Sequence, residues 1–277
     1  MMEKIILNDG FHIDQMGFGT YKLNGIKGSY AIQSALNVGY RVLDTAYNYE
    51  NEGAVGKAIE RSQIPREDIT IISKLPGRYQ AYDDVFQTIQ ESIFRLGVDY
   101  IDIYLIHWPN PKQGRYVEAW KAMIAAQKAG LIRSIGVCNF LPEYIEHLNE
   151  ATGVLPVINQ IELHPFFNQE EMLQFHNEHQ ILIQAWSPIG RDNGILENDV
   201  LIQLAKKHQK SVAQIVLKWH IQRGIMPIPK ATKFVRQQEN IDLFDFQLSK
   251  EDINKINQLS REDGRRKGQD PSTYEEF

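Results

Sequence analysis

Cysteine is almost missing from this 277-residue chain. Cys138 stands alone, so no disulfide can form within the chain, and a reducing cytoplasm is the expected setting. Long apolar runs are also missing: Met1-Met2-Glu3-Lys4 leads into only Ile5-Ile6-Leu7, too little for a signal peptide or a membrane span. The net charge of -5, with no long Lys/Arg run, argues against nucleic acid as a partner, because phosphate binding needs concentrated positive charge. There is no Walker loop, no HExxH and no Gly-x-Ser-x-Gly, and the eight histidines lack metal-ligand spacing. No metal is therefore expected, and a serine nucleophile has no support. Gly17-Phe18-Gly19 opens like a dinucleotide-binding glycine loop, but Lys22 stands where the third glycine would allow close helix packing, so the Rossmann reading fails.

What is present is a rhythm. Short β-branched or aromatic runs recur at Gly17-Phe18-Gly19-Thr20, Tyr40-Arg41-Val42-Leu43, Ile69 to Ser73, Ile101 to Ile106, Ile135-Gly136-Val137, Val157-Ile158-Asn159, Leu182 to Ala185 and Ile225 to Ile228. Each reads as a buried strand. Amphipathic helices separate most of them: Val85, Phe86, Ile89, Ile93 and Leu96 share one face, and Val117, Trp120 and Ile124 another. A capping box, Ser211-x-x-Gln214, starts a helix that stops at Gly224. Eight strand-helix units, with 43% hydrophobic residues to fill a core, predict an α/β fold of one (β/α)8 barrel domain over residues 1–277. An N-terminal hairpin is expected within residues 1–15, since Asp9-Gly10 suits a tight primed turn, and residues 261–277 form a polar tail.

Four proton-handling side chains fall where successive strands end: Asp44 and Tyr49 after the second, Lys74 after the third and His107 after the fourth. A neighbouring ammonium stabilises a phenolate, so Lys74 is expected to lower the pKa of Tyr49. Asp44 would offset the cost of burying that ammonium, and a neutral His107 could hydrogen-bond a substrate oxygen. Taken singly, each has a plainer explanation as a cap, a surface ring, a solvated lysine or a packed imidazole. Their joint placement favours one site at the barrel mouth, suited to giving a proton to a carbonyl oxygen. His164, which closes another run before Pro165, is read as structural.

The segments Gly39-Tyr40-Arg41-Val42-Leu43-Asp44-Thr45-Ala46-Tyr47-Asn48-Tyr49-Glu50-Asn51-Glu52, Ser73-Lys74, Leu105-Ile106-His107-Trp108-Pro109, Gly136-Val137-Cys138-Asn139-Phe140, Asn159-Gln160-Ile161-Glu162, Ala185-Trp186-Ser187-Pro188 and Ile228-Pro229-Lys230 strongly resemble the aldo-keto reductase family, in its bacterial branch. The resemblance runs nearly from end to end and implies NAD(P)H-dependent reduction of an aldehyde or ketone. It implies Tyr49 as general acid, Asp44 and Lys74 as its partners and His107 as the group that orients the carbonyl. It further implies Asn139 and Gln160 on the nicotinamide carboxamide, Trp186 stacked on the ring, and Ser187 and Ile189 along the pyrophosphate. Lys230 and Arg236 would meet the adenosine end with Glu239 and Asn240 near the adenine, and two cations there favour NADPH over NADH.

Two departures stand out: Ala231 replaces a common hydroxyl residue, which Thr232 would have to supply, and Cys138 replaces a common serine. Tyr21 and Trp108, with Pro76 as a further candidate, would line the substrate pocket, which loops and the tail border above, while a hairpin plugs the bottom of the barrel in such proteins. A short tail implies a permissive site for small aldehydes, dicarbonyls or a sugar-derived ketone, worked by a monomer. Two rivals remain: a lyase in which Lys74 forms a Schiff base, and a non-catalytic nucleotide-binding subunit that regulates a partner.

Overall fold

The computed structural model describes residues 4–191 and 193–277. The chain begins with an antiparallel hairpin of β1 (Lys4–Ile6) and β2 (His12–Asp14). Its turn differs from the expected one. Leu7 O accepts from Gly10 N at 2.9 Å, Leu7 N donates to Phe11 O at 2.8 Å, and among Asn8, Asp9 and Gly10 only Gly10 has a positive φ, 88°. A three-residue loop with glycine in the left-handed position replaces the primed two-residue turn, which would need positive φ at both central residues.

Eight parallel strands follow: β3 (Phe18–Gly19), β4 (Val42–Asp44), β5 (Thr70–Leu75), β6 (Ile101–Ile106), β7 (Ile132–Cys138), β8 (Ile158–Glu162), β9 (Leu182–Trp186) and β10 (Met226–Pro227). Each pairs with the next in order. The seam between first and last is closed by Gly17 N to Pro227 O and Gly19 N to Pro229 O, both 3.1 Å. Glycine keeps the approach close: a Cβ on Gly17 would meet Ile228 Cγ2 at 2.9 Å, and one on Gly19 would meet Ile228 O at 3.0 Å. The two glycines set aside as a dinucleotide loop thus serve the barrel seam.

Helices α1 (Gly25–Val38), α2 (Glu52–Ser62), α3 (Tyr82–Leu96), α4 (Tyr116–Lys128), α5 (Pro142–Thr152), α6 (Glu170–Glu178), α7 (Asp199–His208), α8 (Val212–Gln222), α9 (Phe234–Ile241) and α10 (Lys250–Asn257) pack outside. The expected capping box opens α8, and Gly224, at φ 73°, turns the chain after it. On α3 the buried positions Val85, Ile89 and Leu96 lie on the face read from periodicity. No helix among the described residues is long and apolar enough to cross a membrane.

The strands alternate inside and outside with period two. Leu43, Ile71, Tyr104 and Ile106 face the helix layer, whereas Val42, Ile72, Ile103, Leu105, Ile158, Leu182 and Met226 fill the barrel interior, capped from below by Leu7 and Ile13 of the hairpin. Asn8 Nδ2 to Pro156 O at 3.0 Å and Ser134 Oγ to Asp9 Oδ2 at 2.6 Å pin that plug. Continuing the inward set two residues at a time toward the strands' C-terminal ends reaches Asp44 from Val42, Lys74 from Ile72, His107 from Leu105, Gln160 from Ile158 and Gln184 from Leu182. The parity that fills the core therefore aims the polar residues into the mouth.

Candidate active site

Lys74 is fully buried and gives its ammonium to Asp44 Oδ1 and Oδ2, each at 2.8 Å, and to Thr45 O at 2.6 Å. Three donors meet three acceptors. Burial, the largest influence on this group, disfavours the ammonium, yet Asp44, Tyr49 and Cys138 together outweigh it and hold the pKa above that of an ordinary lysine. Asp44 Oδ2 also accepts from Gln160 Nε2 at 2.6 Å, and that nitrogen reaches Gln184 Oε1 at 2.5 Å. Only the oxygen of the Gln160 side chain remains for a ligand.

Tyr49 closes a 3-10 turn, Tyr47–Tyr49, directly beyond β4. The turn is held from beneath by buried polar groups: Thr45 Oγ1 donates to Asn51 Oδ1 at 2.7 Å, and Asn51 Nδ2 donates to Thr20 O at 2.7 Å. The ring lies 5.2 Å from Lys74 Nζ, 4.9 Å from Tyr21 and 5.8 Å from His107, measured to ring centroids. Contrary to expectation, burial pushes its phenol up to about 12, and the opposing pull of Lys74 is the weaker influence. Lys74 does pull the phenol down as expected, but burial outweighs it and Asp44 adds to the rise. Tyr49 therefore stays protonated near neutral pH, the state a proton donor requires.

His107 follows β6, with Asn139 Nδ2 donating to its carbonyl at 3.1 Å. Its Nδ1 lies 2.7 Å from Glu276 Oε1, a close polar contact outside the angle of an aligned hydrogen bond. Glu276 comes from the polar tail, which is packed at the barrel mouth. Nothing in the sequence marked it: the residue sits in a polar stretch far along the chain from its partner. Cys138 ends β7 fully buried, and burial pushes its thiol well above the usual range, which suits a small inert stand-in for serine.

Two adjoining cavities share Tyr21, Tyr49, Gln160, Trp186 and Arg191. The larger, about 480 Å³, runs past Ser187, Ile189 and Lys230, and three further cations, Lys22, Arg191 and Arg266, border it. The smaller, about 260 Å³, is walled by His107, Trp108, Asn139, Tyr274 and Glu276. Pro76 lines neither. Trp186 Nε1 donates to Asn139 Oδ1 at 2.9 Å, fixing the indole where the cavities meet. Lys22, Asn139, Ser187 and Arg191 all hold left-handed backbone, φ 43° to 64°. Such conformations cost on the order of 1–2 kcal/mol each outside glycine and collect at binding sites.

Ser187 Oγ is buried with no hydrogen-bond partner, an orphan facing a cation-bordered cavity. An anionic, oxygen-rich ligand such as a dinucleotide pyrophosphate fits that vacancy of partners and that charge. The adenosine-end residues are less gathered. Thr232 and Arg236 are exposed, Glu239 is half-buried and Asn240 is buried, and none of the four lines the cavity. Arg236 Nη1 pairs instead with Glu239 Oε2 at 2.9 Å. Lys22, Arg191, Arg266, Gln184 and Glu276 belong to the site without having been singled out for it in the sequence. His164 is buried, with Nε2 3.1 Å from Glu162 Oε1, in keeping with a packing role.

The barrel with a Tyr, Lys, Asp and His set at its C-terminal mouth defines a class. The model of the Aldo/keto reductase family matches residues 15–261, and the chain belongs to that family. It is 45% identical over 273 residues to 2,5-diketo-D-gluconic acid reductase B of a Corynebacterium species, covering 99% of this chain and 98% of that one. It is 42% identical over 271 residues to methylglyoxal reductase DkgA of Escherichia coli, covering 98% and 97%. A crystal structure of a Gox0644 mutant in complex with NADPH superimposes with a TM-score of 0.95 at 39% identity, covering 99% of both chains.

Proposed function

We propose that this chain reduces the aldehyde or ketone group of small carbonyl compounds to an alcohol, with NADPH as reductant and Tyr49 as proton donor. The observation that carries the reading is the placement of a protonated Tyr49 at the junction of the two cavities, over the Lys74 and Asp44 pair. Bound NADPH would supply the hydride, which none of these side chains can provide. Trp186 would bear on the nicotinamide ring, Asn139 and Gln160 on its carboxamide, Ser187 and Ile189 on the pyrophosphate, and Lys230 with Arg236 on the ribose phosphate. Thr232, Glu239 and Asn240 would complete the adenosine end. The carbonyl would enter the smaller cavity between Tyr21 and Trp108, its oxygen between Tyr49 and His107.

The polar and aromatic walls of that cavity suit small oxygenated carbonyls such as dicarbonyls and keto sugars, the substrate types that the names of the similar reductases carry. The Schiff-base alternative is disfavoured because Lys74 has no free hydrogen, no exposure and an ammonium held above its usual pKa. The reading extends to one domain, acting as a monomer in a reducing cytoplasm. The test is NADPH oxidation, followed by absorbance with purified protein across a panel of small aldehydes and dicarbonyls, beside Tyr49→Phe. Turnover absent from the whole panel despite NADPH binding would overturn the reading.

A further inference from the structure

Glu276 is the most firmly held residue of the tail. Its Oε2 accepts from Gly77 N at 2.9 Å and its Oε1 from Asn48 Nδ2 at 2.8 Å. Asn110 grips its backbone in both directions, donating to its carbonyl at 2.8 Å and accepting from its N–H at 3.0 Å. Upstream, Arg266 N donates to both Glu162 oxygens at 3.1 Å, and the Tyr274 ring packs on Trp108 at 4.3 Å. Gly77 allows the approach, since a Cβ there would meet Asn110 Nδ2 at 2.2 Å and Glu276 O at 2.5 Å. With N–H donors from Gly77 and Asn48 on its two oxygens Glu276 is held as a carboxylate, its pKa below the ordinary value despite the burial that raises it.

A carboxylate accepts and cannot donate, so the 2.7 Å contact is favourable only with a hydrogen on His107 Nδ1. A neutral imidazole carries one hydrogen. With it on Nδ1, Nε2 would turn a lone pair toward a carbonyl oxygen and repel it. Only the doubly protonated ring satisfies Glu276 and donates from Nε2 at once. We propose that Glu276 is a positioning residue for carbonyl reduction, acting as the counter-ion that holds His107 doubly protonated with Nε2–H toward the substrate oxygen. The inference rests on the reading of His107 as the group that orients the carbonyl, and it replaces the neutral ring expected from the sequence.

The other charged or titratable groups around the ring do not supply this. Tyr49 is a neutral phenol 5.8 Å away, Tyr274 a second ring of the same cavity, and Cys138 a buried thiol. Arg191 across the cavity and the Lys74 ammonium oppose a further positive charge, and Asp44 is spent on Lys74. Arg78 bonds Asn48 Oδ1 at 2.6 Å and Phe277 O at 3.2 Å, beside Glu276 and not on the His107 ring. Glu276 is the carboxylate in contact.

The experiment compares kcat/KM against pH for the native enzyme, Glu276→Gln and Glu276→Asp, with NADPH affinity measured by fluorescence quenching. The expected result is that the alkaline loss of activity moves down by roughly one pH unit or more in Glu276→Gln. Activity near pH 7.5 should fall about tenfold through kcat, NADPH affinity should stay within about twofold, and Glu276→Asp should recover part of the loss. Superimposable pH profiles would overturn the proposal. Because Glu276→Gln could loosen the tail, the ring nitrogens of the native NADPH complex are also read by ¹⁵N resonance at pH 7, assigned with His107→Asn. Two protonated nitrogens support the proposal, and a bare Nδ1 beside Nε2–H sinks it. This readout needs no turnover, so failure to reduce any carbonyl and failure of the pairing are told apart.

Discussion

Asp44 holds Lys74 through both carboxylate oxygens, 2.8 Å each, directly beneath the Tyr49 ring. Tyr49 therefore feels a nearly neutral pair and not a bare cation, and burial decides its proton affinity. Asp44 itself adds to the rise. In Asp44→Asn the phenol should ionise at lower pH than in the native protein, visible as tyrosinate absorbance in an alkaline titration with Tyr49→Phe as the blank. The variant should also lose roughly 3–5 kcal/mol of stability, because a buried ammonium is left uncompensated. A tyrosinate signal unmoved by the substitution would contradict the pairing argument.

On the proposed reading, Tyr49→Phe removes the proton donor but leaves every wall of the larger cavity except for one hydroxyl. Turnover should drop by about 10²–10⁴-fold, the usual worth of a positioned acid. The dissociation constant for NADPH should hardly change. Fluorescence titration beside steady-state rates checks both halves, and parallel losses of binding and turnover would speak against the assigned role.

Cofactor choice should turn on Lys230, which lines the cavity, more than on Arg236, which is 63% exposed and paired with Glu239. Lys230→Met should lower the preference for NADPH over NADH by about tenfold, the worth of one charge-assisted hydrogen bond. Glu239→Gln should raise NADPH affinity by up to about fivefold, since an exposed ion pair of ~1 kcal/mol no longer competes for Arg236. Initial rates with both cofactors at matched subsaturating concentrations decide it, and equal rates in the native protein would remove the phosphate argument.

His176 sets an acid limit on stability. Its Nδ1 donates to Met172 O at 2.6 Å and its Nε2 accepts from Asn159 Nδ2 at 2.9 Å, an arrangement only the neutral ring can make. Burial lowers its pKa from 6.5 to about 4. The unfolded chain thus binds a proton more readily, and the contribution is fully present above about pH 6.5 and lost as pH falls toward 4. The loss should reach roughly 3 kcal/mol. Denaturant titrations at pH 7 and pH 4.5 should show the gap narrow in His176→Phe, with an unchanged gap counting against the assignment.

The strands were legible because each is an apolar run closed by a polar residue, and period-two alternation carries the interior residues into Asp44, Lys74 and His107. Where distance along the chain intervened, reading by sequence stopped. Glu276 lies in a polar tail that composition cannot distinguish from a solvated one, and its burial depends on Asn110 and Gly77 standing opposite. At Tyr49 the expected pull of Lys74 on the phenol is present, but sequence supplies the cation nearby and not the burial that outweighs it. Gly10 misled locally, since Asp9-Gly10 is compatible with two loops and only the backbone chooses.

The Gly17 and Gly19 seam carries a consequence for how the molecule is made. Its two halves are about two hundred residues apart, so seven strand pairings can form in sequence while the eighth waits for the chain beyond Pro229. Without that last pairing the sheet would have unsatisfied edges at β3 and β10. Gly19, Ile228, Pro229 and Lys230 all line the larger cavity, so that cavity is walled in full only when that last gap is shut. Closing the barrel and completing that cavity are one structural condition.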